Sequence, residues 1–291
     1  MRPEKEKWVL LVVLSLIWGS SFILIKKSLE HFSPYQVGAL RVLISGILLS
    51  PIAILNRKKF PKESLKWLII AALAGNFIPM FLFPIAETKV SSSIAGIMNS
   101  MMPIFTIIVG AFFWNIKTTF RQIIGILISF SGVVLLMVSG ESQAEMPIFY
   151  VSLLLLAAFL YAVSVTTVGA KLTHIPAKIM SSFVFFYVLA LPSFISLYLS
   201  QFFSEFHFTK ENFIGLGFVA TLSIIGTGLA MILQYRLMSV SNPLFASTVT
   251  LLMPIVAVMW GVLDGESFTF LQIIGALIIL AGLIFLRKKK A

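Results

Sequence analysis

The sequence contains no cysteine. Disulfides, thiolate metal sites and cysteine nucleophiles are excluded at once, and redox chemistry gives no hint of the compartment. Charge is also scarce: 11% of residues are charged, against 59% in the hydrophobic class. A soluble domain carries about 25% charged and about 45–50% apolar residues. A soluble fold of this chain would lack the polar surface to cover itself. The excess must face lipid, which makes this an integral membrane protein. Acidic residues are the rarer charges, 11 against 22 basic ones, for a formal net charge of +11. A nucleic-acid binder gathers such charge on one folded face with stacking aromatics. Here the basic residues form short runs between apolar stretches, so no nucleic-acid partner is expected.

Further absences narrow the chemistry. His31, His174 and His207 fall between the apolar stretches, no Asp lies inside one, and Glu87 and Asp264 sit near stretch ends. No relay of buried carboxylates is therefore expected. No His, Asp and Glu cluster suggests a metal. No glycine-rich Walker loop is present, which excludes ATP drive. Ser91-Ser92-Ser93 has no His or Lys to activate it and reads as a polar helix start. The expectation is no catalytic residue, no metal and no cofactor.

What is present is apolar length. A membrane helix needs roughly 20 mostly apolar residues. Ten such stretches run Trp8 to Ser28, Pro34 to Leu55, Ser64 to Ala86, Ser91 to Trp114, Phe120 to Val138, Pro147 to Ala170, Ala177 to Gln201, Phe213 to Tyr235, Pro243 to Leu263 and Phe268 to Leu286. A barrel would alternate apolar and polar residues over about ten positions per strand, and these stretches do not. Arg2, Lys5 and Lys7 precede the first stretch as in a signal peptide. Its apolar run is long for a signal core and no small-residue cleavage site follows, so it reads as a retained span.

One segment occurs twice. Met101-Met102-Pro103 leads through Gln122-Ile123-Ile124-Gly125 to Gly132, and Leu252-Met253-Pro254 leads through Gln272-Ile273-Ile274-Gly275 to Gly282. The prolines lie 151 positions apart (254 − 103) and the Gln-Ile-Ile-Gly runs 150 apart (272 − 122). This is one copy per half, a duplication of residues 1–143 into 144–291. Ten spans make two sets of five, and an odd number per set inserts the second copy upside down. The expected fold is an all-α membrane protein with ten transmembrane helices in an inverted five-plus-five repeat, a design that recurs in secondary transporters. With the N-terminus inside, 17 of the 22 basic residues fall on the inner side. The positive-inside rule then puts both termini in the cytoplasm of a cell membrane.

Polar residues within spans mark candidate sites. On the fourth span Ser92, Gly96, Asn99, Pro103, Thr106 and Gly110 form one helical stripe. The ninth span answers with Pro243, Ser247, Thr250, Pro254, Ala257 and Gly261. Such stripes serve close helix packing, or line a cavity where each proline frees a backbone carbonyl. Asn76 on the third span corresponds to Thr227 on the eighth, and Phe83 to Gln234, which lies nearer a headgroup region. Arg41 is the one charge well inside a span. It pairs with backbone carbonyls or Glu87, or it offers a counter-charge to a solute carboxylate. Trp18 and Tyr161 fall mid-helix in the first span of each half, where a buried indole or phenol wants a hydrogen-bond partner. Gly125 with Gly132 and Gly275 with Gly282 suggest close helix contact within a half or between protomers.

Trp18-Gly19-Ser20-Ser21-Phe22 with Lys26, Arg41, and the Pro103/Pro254 and Gly125/Gly132, Gly275/Gly282 repeats resemble the EamA-like branch of the drug/metabolite transporter superfamily, over nearly the whole chain. The resemblance implies ten helices around a central cavity and export of amino acids, drugs or other small metabolites. Tyr161 in place of Trp18, and nothing basic in place of Arg41, depart from a symmetric pattern. The expectation is a carrier of a small, amino-acid-like solute working by alternating access, as a monomer or homodimer in the lipid bilayer. Trp18, Arg41, Asn76, Asn99, Pro103, Tyr161, Thr227, Gln234, Thr250 and Pro254 are the candidate solute contacts. A multidrug or organic-cation exporter is the nearest alternative, though a cation would want a buried carboxylate. An intramembrane enzyme would need a reactive constellation.

Overall fold

The computed structural model describes residues 3–115, 119–138, 148–266 and 269–285. The chain runs through ten main helices: α1 Pro3–Leu29, α2 Pro34–Leu55, α3 Lys62–Glu87, α4 Ser92–Trp114, α5 Phe120–Val138, α6 Ile148–Lys171, α7 Ala177–Leu199, α8 Lys210–Val240, α9 Pro243–Leu263 and α10 Phe270–Phe285. Eight of them, all but α5 and α10, are long and apolar enough to cross a membrane. Shorter apolar stretches, Ile123–Gly132 and Ile273–Gly282, lie within the other two. The expected Phe213 to Tyr235 span is longer in the fold, because the Thr209 side chain caps α8 upstream and Asn242 caps α9 just beyond its end.

Local signals explain the helix boundaries. Ser33 and Gln36 form a reciprocal capping box at α2, with Pro34 in the first turn, where a missing N–H costs nothing. Ser91 caps α4 through the Ile94 amide. Asn115 ends α4 in the left-handed region at φ 51°, which asparagine tolerates better than most residues. Inside the spans the backbone makes π turns at Leu73–Phe77, Phe183–Leu189 and Ile224–Leu229, and the α-helix is also interrupted at Ser100–Met101 in α4 and at Thr248 in α9. The first and third sit 151 positions apart (224 − 73), the spacing of the duplicated prolines. π turns release backbone carbonyls from the helical ladder and concentrate at functional sites.

The outer faces carry large apolar side chains, among them Leu55, Phe112 and Phe208. This is the reverse of a soluble surface and suits lipid. The interior is one continuous apolar cluster through which polar groups are threaded. α5 and α10 pack along each other so closely that a methyl on Gly132 would lie 2.7 Å from the Gly275 carbonyl oxygen, and one on Gly282 equally close to that of Gly125. Ser129 donates to the Ile279 carbonyl across the same contact. These glycines therefore join the two halves of one chain, rather than helices within a half or separate protomers.

Candidate functional site

Between the helices lies a cavity of about 80 Å³. Its walls follow helical spacing. α1 contributes Trp18, Ser21, Phe22 and Ile25, and α6 contributes Tyr161, Ser164, Val165 and Val168. Both sets are i, i+3, i+4, i+7, one face of a helix, and they stand 143 positions apart throughout. On α3, Gly75, Met80 and Phe83 match Gly226, Met231 and Gln234 of α8 at 151 positions. On α4, Asn99 and Met102 match Thr250 and Met253 of α9 at the same interval. The paired walls also touch in a matched way. Ser21 of α1 packs on Gly226 of α8, and Ser164 of α6 packs on Gly75 of α3; a methyl on either glycine would collide with the serine hydroxyl.

Seven of the ten candidates line this cavity: Trp18, Arg41, Asn76, Asn99, Tyr161, Gln234 and Thr250. Thr227 stands just behind it and accepts a 2.7 Å hydrogen bond from Arg41 Nε. Pro103 and Pro254 are buried but stay outside the lining. They follow Asn99 and Thr250 by four positions, so they remove the amides that would bond those carbonyls while the side chains one turn earlier reach the cavity. Trp18 finds the partner a buried indole needs, donating from Nε1 to the Gly226 carbonyl at 2.8 Å, within the third π turn. Tyr161 stacks on Phe83 instead, with ring centroids 5.9 Å apart.

The polar groups on this lining are under-used. Both amide atoms of Asn76, Asn99 Oδ1, Gln234 Oε1 and the Tyr235 hydroxyl are buried without a hydrogen-bond partner in the protein. Tyr235 faces Asn76 without meeting hydrogen-bond geometry. Each buried unsatisfied group costs about 1–3 kcal/mol, so five such atoms around one space call for a polar guest. Arg41 is 5% exposed. Its Nε is occupied, and Glu87 is not within ion-pair distance of it; the Arg41–Glu87 pair weighed from sequence does not form here. Among the described residues no carboxylate lines the cavity. Five methionines, 80, 102, 231, 238 and 253, supply an adaptable apolar wall.

Tyr235 and the methionines were missed in the sequence, although Met231, Gln234, Tyr235 and Met238 form an i, i+3, i+4, i+7 stripe that was there to be read. Glu87, near a stretch end in the sequence and weighed there only as a partner for Arg41, is 8% exposed, and neither carboxyl oxygen has a partner.

The two ends of the bundle carry different ion pairs. Where α1 stops, Gly265 turns the chain at φ +85°, a conformation suited to glycine. Glu266 then reaches back to the start of α4. It accepts from the Ser92 and Ser93 amides at 3.2 and 3.3 Å and from both hydroxyls, and it pairs with Lys26 at 2.9 Å. Asp264 pairs with Lys26 and Lys27 at 2.7 and 2.8 Å. Burial alone would raise the Glu266 carboxyl, but hydrogen bonds from Ser93, Lys26 and Ser92 prevail and hold it below the usual range. Hydrogen bonds from Lys26 and Lys27 lower Asp264 likewise. At the opposite end Arg236 pairs with Glu6 at 2.7 and 3.1 Å, from α8 to α1. Beside it Trp8 packs edge-on against Phe245, centroids 5.2 Å apart.

The sequence model of the EamA-like transporter family matches residues 6–138 and again 148–288. An uncharacterized transporter of Archaeoglobus fulgidus is 25% identical over 98% of this chain and 100% of its own. A probable amino-acid metabolite efflux pump of Salmonella typhimurium is 27% identical over 96% of this chain and 94% of its own. One crystal structure superposes with a TM-score of 0.65 at 16% identity, over 97% of this chain and 96% of the other, a likeness of fold.

Proposed function

The chain belongs to the EamA-like transporter family, and from that premise we propose that it exports a small solute bearing a carboxylate, of the amino-acid class, by alternating access without ATP. The observation that carries this reading is Arg41, a buried guanidinium at a cavity lined by no carboxylate. Its remaining N–H groups suit a carboxylate, for which the arginine fork is shaped. The free amide oxygens of Asn76, Asn99 and Gln234 can accept from an ammonium or amide of the same solute. The methionine wall accommodates varied side chains. A cationic drug would meet an uncompensated positive charge here.

The halves, 1–143 and 144–291, are read as an inverted repeat whose ten helices, α5 and α10 included, cross the membrane with both termini cytoplasmic. The matched contacts of Ser21 with Gly226 and Ser164 with Gly75 support that symmetry. In this reading the Lys26 end faces outside, and its ion pairs must part for the cavity to open there. The relative named as an amino-acid metabolite efflux pump supports both solute class and direction. The test is counterflow in proteoliposomes with radiolabelled L-amino acids. The proposal expects exchange by the native protein and its loss in Arg41→Met; equal exchange by both would refute it.

A further inference from the structure

We infer that Glu87 is a proton-binding site, and that its loading is linked to solute binding at Arg41. The argument starts from placement. Glu87 follows Phe83 by four residues on α3, so it shares the face that lines the cavity, one turn nearer the Lys26 end. There it is 8% exposed and neither oxygen has a hydrogen-bond partner. An ionised carboxylate so placed needs a paired charge or donors. The charged groups near enough to act on it electrostatically are Arg41 from α2, Lys26 from α1 and Glu266 beyond α9. α6 adds the Tyr161 phenol beside Arg41, and α4 offers Ser92 and Ser93, already spent on Glu266.

Charge matching then decides. Lys26 is held by Asp264 and Glu266, and Lys27 by Asp264 and Glu30. Arg41 is the one cation of this cluster with no carboxylate within ion-pair distance. Its single positive charge acts on Glu87 through space, beyond ion-pair distance, and a solute carboxylate bound to Arg41 would neutralise it. When the solute carboxylate takes Arg41, Glu87 is left without a counter-charge and takes a proton from water. When that proton leaves, the renewed negative charge competes for Arg41 and favours solute release. Solute and proton are carried together, and a solute flowing out down its own gradient takes the proton with it. The protonation of Glu87 stands on its burial; only the linkage rests on the Arg41 reading above.

The test has two readouts on the full-length protein. The first is the infrared C=O band of a protonated carboxylic acid, followed from acid to alkaline pH in the native protein, Glu87→Gln and Glu87→Asp. The inference expects a titrating band that is lost in Glu87→Gln and shifted in Glu87→Asp. Identical spectra for native and Glu87→Gln would overturn it. The second is counterflow of a mixture of radiolabelled L-amino acids. Half-saturation of the native protein should rise by about tenfold per pH unit above the Glu87 titration, while Glu87→Gln, fixed in its uncharged form, stays flat. A native pH slope retained in Glu87→Gln would overturn the linkage. If neither protein exchanges any amino acid, the solute reading has failed, and the infrared titration still decides Glu87.

Discussion

The α1 face of the cavity, Trp18, Ser21, Phe22 and Ile25, and the α6 face, Tyr161, Ser164, Val165 and Val168, occupy the same four helical positions. Their chemistry has nonetheless parted. Trp18 spends its donor on the Gly226 carbonyl, whereas Tyr161 stacks on Phe83. The next helices diverge further: α2 supplies Arg41, and α7 supplies nothing to the lining. At the corresponding positions of α3 and α8, Phe83 stands against Gln234, and on α4 and α9 the free amide oxygen of Asn99 stands against Thr250, whose hydroxyl is already bonded to the Ser247 carbonyl. Duplication supplied the backbone frame, including two matched π turns. The divergence gave one half the charge and left polar acceptors on both sides of it. A cavity with a cation at one place and free acceptors elsewhere distinguishes the two ends of a solute, which a strictly symmetric site cannot do.

The largest effect should follow from erasing the strongest difference. Arg41→Met removes charged hydrogen bonds worth about 1.5–3 kcal/mol, so counterflow should fall by roughly 10- to 150-fold while the protein still folds. Next come the ion pairs at the two ends. Glu266→Gln breaks a pair at a mostly buried carboxylate and weakens the α4 cap, and should lower the melting temperature clearly. Glu6→Gln, at the more open end, should leave it nearly unchanged. Because Glu266 and Asp264 are held below the usual carboxylate range, their contribution is full above the ordinary carboxylate pKa. It disappears as pH falls through the lowered folded values. The melting difference between native protein and Glu266→Gln should therefore close at strongly acid pH.

Smaller effects test the cavity walls. Asn99→Ala should reduce counterflow by about tenfold, ~1.4 kcal/mol, with little change in melting. Thr250→Ala should cost less, since its hydroxyl is satisfied within its own helix. If Asn99→Ala melts early but exchanges normally, Asn99 is packing and the site assignment fails. Tyr161→Trp, which makes the two walls alike, should have the smallest effect, within about twofold on the scale of a satisfied aromatic contact.

Much of this was legible because lipid leaves few options. Spans must be helical and long, and an amide inside one must face protein or a cavity, which is why Asn76, Asn99 and Gln234 stood out. The duplicated prolines exposed the two-half plan, but they sit behind the lining, since the helical turn before each is the one that reaches it. The π turns left no pattern in the sequence. They shift the register that places Gly75 and Gly226 against their serines. Glu266 could not be read either: its partners Ser92 and Ser93 lie more than 170 positions away, and only the left-handed turn at Gly265 brings it to them. Glu87 looked terminal along the chain, but packing of α1, α2 and α6 against the end of α3 buries it.

The claim that both halves close on one solute site can be tested directly because the chain has no cysteine background. Met102 and Met253 are matched lining positions on α4 and α9. Met102→Cys and Met253→Cys, each made alone in the full-length protein, can be titrated with a small thiol reagent with and without L-amino acids. The account predicts that the same amino acids slow labelling at both positions to a similar extent, with half-protection at the same concentration. Protection at one position only, or at neither while counterflow persists, would contradict it.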